Sequence, residues 1–243
     1  MPLFEKKLEV KGIGDERPKP LVLKLVSLEE LDVRGFPFRI RGCPNLKKLT
    51  FSAFYTSNLY LALKYLQQLS IAELEINEIE QFLEDELEAD KKTLELIIPS
   101  SVQRLTLISV KDEESFNSLL PYVVLLPPIL ESLVIKDLGV VLSNIHELIW
   151  LEKIHLSCQN YSYFFPIISR LPSTVKELEV THIIGDDILT FPDPPKEKVC
   201  LSHLLKLESL AFSGYGFLFQ FTDLPKTTES LKFKISLGYT FRR

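Results

Sequence analysis

The chain has 243 residues, 46% of them hydrophobic and 25% charged, so it can bury a sizeable core and does not have the composition of a disordered polypeptide. Its net charge of −5 comes with no basic stripe able to neutralise phosphates, which argues against nucleic acid as a partner. No apolar run reaches the roughly 18 residues a membrane span needs, Met1 to Lys7 has no secretory core, and Cys43, Cys158 and Cys200 are too scattered for a disulfide scaffold; a soluble cytoplasmic or nuclear protein is expected.

Leucine is the compositional anomaly, with 44 copies. Along the chain they fall into a recurring triplet. Leu8-x-Val10 is a faint first copy, followed by Leu28-x-x-Leu31-x-Val33, Leu46-x-x-Leu49-x-Phe51 and Ile71-x-x-Leu74-x-Ile76. Residues 77–92 place Ile79, Phe82, Leu83 and Leu87 at helical spacing among seven acidic residues, which predicts an amphipathic helix with an acidic outer face. Four later copies begin with an apolar residue and proline: Ile98-Pro-Ser-Ser-Val-Gln-Arg-Leu-Thr-Leu107, Leu126-Pro-Pro-Ile-Leu-Glu-Ser-Leu-Val-Ile135, Leu171-Pro-Ser-Thr-Val-Lys-Glu-Leu-Glu-Val180 and Leu224-Pro-Lys-Thr-Thr-Glu-Ser-Leu-Lys-Phe233. Leu151-x-x-Ile154-x-Leu156 and Leu207-x-x-Leu210-x-Phe212 lie between them. Residues 112–125 and 141–150 read as helical connectors, the second burying Trp150, and the proline-rich run Phe191 to Lys198 reads as an exposed loop.

The nine clear copies start between residues 28 and 228, a mean spacing of 25. Each triplet is expected to be a short strand whose two apolar side chains point to one side, because side chains alternate along a strand. Stacked in parallel, such strands bury these residues as continuous ladders, each repeat completing its neighbour's core. One repeat alone could not offset its ordering entropy. The expected fold is therefore α/β, a solenoid built on a curved parallel sheet with helical or irregular connectors, about nine to ten irregular repeats in a single domain over 1–243.

This pattern resembles the leucine-rich-repeat superfamily. That superfamily usually carries Asn or Cys three residues after the last strand position. Here those positions hold Phe36, Phe54, Ile79, Val110, Leu138, Gln159, Ile183, Tyr215 and Ser236. The chain is thus more similar to the Asn-poor repeats of F-box proteins, fungal ones especially, although no F-box is recognisable ahead of the repeats. The resemblance implies a non-catalytic protein-interaction module, a substrate-recognition or adaptor component linked to ubiquitin ligases. The alternative it leaves open is a regulator of a small GTPase, acting through the solenoid rim.

Catalytic signatures fail: no G-x-S-x-G, Walker A, G-x-G-x-x-G, H-E-x-x-H or C-x-x-C occurs. His146, His155, His182 and His203 have no metal-ligand spacing, and Cys158 sits about 10 Å along a strand from His155. No enzyme activity, cofactor, metal or small-molecule ligand is expected, an enzyme with an unrecognised site being the less favoured alternative. The expected partner is a protein, bound by a monomer or within a hetero-complex. Solenoids bind on the solvent side of their strands. The residues between the two ladder positions run Glu9, Asp32, Thr50, Glu75, Thr106, Val134, His155, Glu179, Ala211, Lys232, and mix both signs of charge. Arg104, Thr106, Ile108, Val134 and His155, in the less charged middle, are the candidate contact patch, the alternative being ordinary strand surface.

Overall fold

The structure, a computed structural model, describes residues 6–11, 21–23, 26–34, 38–40, 43–52, 56–79, 94–109, 122–158, 164–182, 198–214 and 220–235. Strands are numbered in chain order. Ten of them form one sheet: β1 (Lys7–Lys11), β3 (Glu30–Arg34), β5 (Lys48–Ser52), β6 (Glu73–Ile79), β8 (Arg104–Ser109), β10 (Ser132–Lys136), β12 (Lys153–Cys158), β13 (Glu177–His182), β15 (Ser209–Gly214) and β17 (Ser230–Ile235). They lie side by side in that order, and every pairing is parallel. Each strand carries one Leu-x-Φ triplet, the faint Leu8-x-Val10 included.

The register keeps the triplets aligned across all ten strands. Leu105 pairs with Leu133, Leu133 with Ile154 and Ile154 with Leu178; one step along, Leu107, Ile135, Leu156 and Val180 follow each other in the same way. The ladder residues of β3 through β15 are buried. At the last strand Leu231 and Phe233 remain about half exposed, because β15 alone pairs with β17 among the described residues.

Two backbone devices hold that register. Before seven of the triplets the chain makes a turn in which the residue opening the frame donates its amide to the carbonyl three residues earlier, as Val102 to Pro99, Leu130 to Pro127, Val175 to Pro172 and Thr228 to Pro225 at 3.1–3.2 Å. The same turn forms without proline at Leu46, Leu151 and Leu207, onto Cys43, Leu148 and Leu204. This position asks only for an acceptor, so proline's missing N–H costs no bond there. The carbonyl just before each strand then accepts two successive amides from the next strand's start, as Glu131 does from Glu152 and Lys153. The step repeats at all nine junctions at 2.8–3.1 Å. Hydroxyls reinforce it: Ser101 donates to the Ile71 carbonyl, Thr174 to Leu151 and Thr227 to Leu207.

The connectors differ from the sequence expectation. Of the connectors expected to be helical, residues 112–121 lie outside the described part, while 122–125 and 141–142 belong to strands β9 (Tyr122–Leu125) and β11 (Val140–Leu142); with β7 (Leu94–Ile97) these form a second parallel sheet, in the order β11-β9-β7. Tyr122 and Val124 are buried while Val123 and Leu125 are less so, a period of two rather than 3.6. Asn144 extends this sheet with its side chain, accepting from the Leu126 amide and donating to its carbonyl. Two further parallel pairs, β2 (Leu21–Leu23) with β4 (Phe38–Ile40) and β14 (Lys198–Cys200) with β16 (Gln220–Thr222), flank it in sequence. Helix is confined, among the described residues, to α1 (Thr56–Leu66), α2 (Phe164–Ile168) and a 3-10 turn at Ile145–Glu147. No triplet predicts α1; its signal is Leu59, Leu63 and Leu66 at helical spacing, all buried.

Two other expectations are corrected. The acidic helix cannot start at Asn77, since β6 runs through Ile79; residues 80–92 lie outside the described part. Glu78 takes a left-handed φ of 57° and the register shifts there, which returns Ile79 to the core. Trp150 is 60% exposed rather than buried, because Leu148 and Leu151 close the turn and take the inward places, leaving Ile149 and Trp150 at its tip. The loop expected over residues 191–198 lies outside the described residues but for Lys198, the first residue of β14. No helix among the described residues is long and apolar enough to cross a membrane.

Leu133 and Leu178 sit in the ladder at 0% and 2% exposure. Leu133→Ala is expected to cost about 2–5 kcal/mol in urea unfolding. Leu133→Asp or Leu178→Asp is expected to abolish the cooperative thermal transition, since the carboxylate would have no partner in the core. A transition near the wild-type midpoint would refute the ladder.

Candidate functional site

The face opposite the ladders presents three columns of side chains, fixed by the common register. In the first column the charges alternate strand by strand: Lys7, Glu30, Lys48, Glu73, Arg104. They pair across the strands, Lys7 with Glu30 at 3.5 Å, Lys48 with Glu73 at 3.6 Å, and Arg104 through its guanidinium with Glu73. Burial works to raise the Glu73 carboxyl, but hydrogen bonding and charge from Arg104, then Lys48, outweigh it and hold it below the usual range. Arg104, a predicted contact residue, is therefore already engaged inside the sheet face. Further along, Lys153 pairs with Glu177 at 2.8 Å.

The middle column begins with charges satisfied within their own strands: Glu9 by Lys11 at 2.7 Å, Asp32 by Arg34 at 3.0 Å, and Glu75 by the Asn77 amide at 3.1 Å. Beyond them the register sets Thr106 beside Val134 and Val134 beside His155, three of the five predicted residues in one row. Ile108 faces the same way one step along, beside Lys136 in the third column.

Over β10 to β17 this face sinks into a recess of about 320 Å³. Val134 and His155 line it, and Arg104, Thr106 and Ile108 do not. Small side chains, Ser209 and Ala211 on β15, lie between the longer Glu177 and Glu179 on β13 and Lys232 on β17, and Ser132 on β10 adds a further small residue to the lining. These walls were visible in the sequence only as members of mixed columns. What sequence reasoning missed is that two adjacent small residues on a single strand make a hollow.

His155 is partly buried in the recess. Burial pushes its imidazole below the ordinary 6.5; Glu179, with Oε2 3.8 Å from Nδ1, pulls the other way, and Lys136 adds to the lowering. Its Nε2 is buried and has no hydrogen-bond partner among the described residues. The lowering favours the neutral ring at physiological pH. No group of three or more His, Cys, Asp or Glu side chains among the described residues is placed to hold a metal ion. No family model, no curated protein and no solved structure matches the chain.

The lowered imidazole gives a signed expectation. The unfolded chain binds a proton at His155 near pH 6.5, the folded one only at lower pH, so this residue's contribution is present above 6.5 and is lost as pH falls through the folded value. Urea titrations between pH 7.5 and 5 should show stability declining on acidification, and His155→Gln should flatten that decline. An unchanged slope in the variant would mean that His155 titrates as if unfolded.

Proposed function

We propose that the chain is a leucine-rich-repeat solenoid that acts as a non-catalytic protein-binding module, its contact surface being the outward face of the ten-stranded sheet around the recess. The observation that supports this most is the common register of ten parallel strands. It turns single side chains into fixed columns and offers a partner an extended, preorganised surface, the property for which solenoids are used. The recess adds shape to this face, with Val134, His155 and Ala211 in its lining beside the Lys153–Glu177 pair. An apolar anchor from the partner would be desolvated against Val134 and Ala211. The triplet frame and the apolar residues in place of an Asn ladder, Ile79 and Leu138 being buried, are similar to F-box-type repeats. The role proposed with them is substrate recognition or adaptor work alongside ubiquitin-ligase subunits, within a hetero-complex.

Val134 and Ala211 are both partly solvent-accessible, so Val134→Lys with Ala211→Lys should fill the recess while leaving the thermal midpoint within a few degrees. Affinity purification from the native cell, read by mass spectrometry, is expected to recover ubiquitin-ligase subunits with the wild type and lose them with the filled variant. Equal recovery by both would reject this face, and recovery of a small GTPase in place of ligase subunits would reject the adaptor role.

A further inference from the structure

The sheet face is not the only surface with an unusual composition. At the turns that precede β10 and β12, Ile129 is 38% exposed, Ile149 67% and Trp150, the chain's one tryptophan, 60%. These residues are neighbours. Ser132 and Lys153 are register partners, and Ile129 and Trp150 each lie three residues before them in turns closed by the same 3.1 Å bond. The alignment persists through the turns: His146 and Arg170 occupy equivalent positions of successive repeats, and Arg170 Nη2 lies 3.2 Å from His146 Nδ1. Adjacent strands are about 4.8 Å apart, so the three apolar side chains form one continuous patch. At the same turn positions the neighbouring repeats carry Ser100 and Ser101 on one side and Ser173 and Thr174 on the other. The patch is therefore bounded on both sides; Val26 and Leu205, exposed at the equivalent position of more distant turns, stand as single residues.

Its electrostatic setting has a definite sign. Between residues 126 and 152 the only Lys or Arg is Lys136, which sits at the far end of β10, and Lys153, which opens β12, is engaged by Glu177 at 2.8 Å. Glu131, Glu147 and Glu152 lie at the end where the apolar patch is. Glu131 makes no ion pair among the described residues, Glu147 has only the His146 Nε2 at 3.6 Å, and Glu152 is held by Lys176 at 2.7 Å. Arg170, the nearest cation of the next turn, is engaged with the Ser143 carbonyl and His146.

We infer that this turn edge is a second docking surface, distinct from the sheet face, for a polypeptide segment that pairs apolar side chains with Lys or Arg. Apolar groups of the segment cover Ile129, Ile149 and Trp150, and its cations meet Glu131 and Glu147. An exposed indole flanked by aliphatic side chains has the make-up of an interface anchor and can also stack on a guanidinium or ammonium group. The bordering carboxylates disfavour an anionic lipid surface, which would otherwise suit an exposed tryptophan. The inference does not rest on the recess being a binding site.

Trp150 is its own reporter. The full chain is titrated with a short synthetic peptide of leucine and lysine at amphipathic helical spacing, at physiological ionic strength, while tryptophan emission is followed. A saturable blue shift is expected. Ile129→Ser with Ile149→Ser, and separately Glu131→Gln with Glu147→Gln, are each expected to weaken it at least tenfold, whereas Val134→Lys with Ala211→Lys leaves it unchanged. The same peptide with glutamate for lysine is expected to give no shift. Absence of a shift with the lysine peptide, equal affinity in the glutamine variant, an equal response to the glutamate peptide, or a shift on phosphatidylserine vesicles would each overturn the assignment.

Discussion

The carbonyl that precedes each strand carries the architecture. By accepting two amides from the start of the next strand, it fixes where that strand begins relative to its neighbour, and nine such junctions in series set ten strands in one register. Parallel strands have no hairpin to define their alignment. A slip of one residue would exchange the whole ladder for the polar columns, driving Lys153, Glu177 or His155 into the core in place of Ile154 and Leu178. The shared acceptor and the hydrophobic alternation therefore enforce the same alignment, one through backbone geometry and the other through burial.

Because the register is fixed, charge placement on the outer face has consequences that a list of surface residues would conceal. Alternation of Lys and Glu between successive strands places opposite charges side by side, and like charges in those positions would repel across a spacing of about 4.8 Å. Each exposed pair is worth little by itself. Their collective effect is to leave the first five strands with little uncompensated charge, despite the density of ionisable groups there.

The sheet was legible in the sequence because its signal is short-range and repeated: two apolar residues at i and i+2, set in a frame that recurs. Even Leu8-x-Val10, the weakest copy, proved to be a strand. The connectors were not legible for the converse reason. Tyr122 to Leu125 and Val140 to Leu142 are runs of apolar residues too short for their period to separate strand from helix, and only the alternation of burial decides it. Trp150 departs from the expectation because its place in the turn, not its residue type, decides its exposure. A turn that needs two residues at its tip exposes whatever occupies them, and Leu148 and Leu151 had already taken the inward places. The hydroxyls of Ser101, Thr174 and Thr227 recur just before the first apolar residue in three of the four proline copies, a signal present in the sequence and left unread.

The predicted contact patch fared unevenly for a related reason. Thr106, Val134 and His155 do form a row, since column membership follows from register. Arg104 belongs to the charge ladder, so recruiting it to a partner would mean separating it from Glu73, and the gain would be offset by the carboxylate left behind. Around Val134, His155 and Ala211 the proposed partner would meet a surface shaped by side-chain size, next to the Lys153–Glu177 pair. Selectivity on that surface has to come from fit and desolvation more than from long-range attraction, whereas the acidic turn edge around Trp150 adds a field of one sign to its apolar contact. The two proposed surfaces would thus favour different partner chemistries, and one parallel sheet can display both because its backbone ladder fixes the positions of the turn tips and outward columns without dictating which residues fill them.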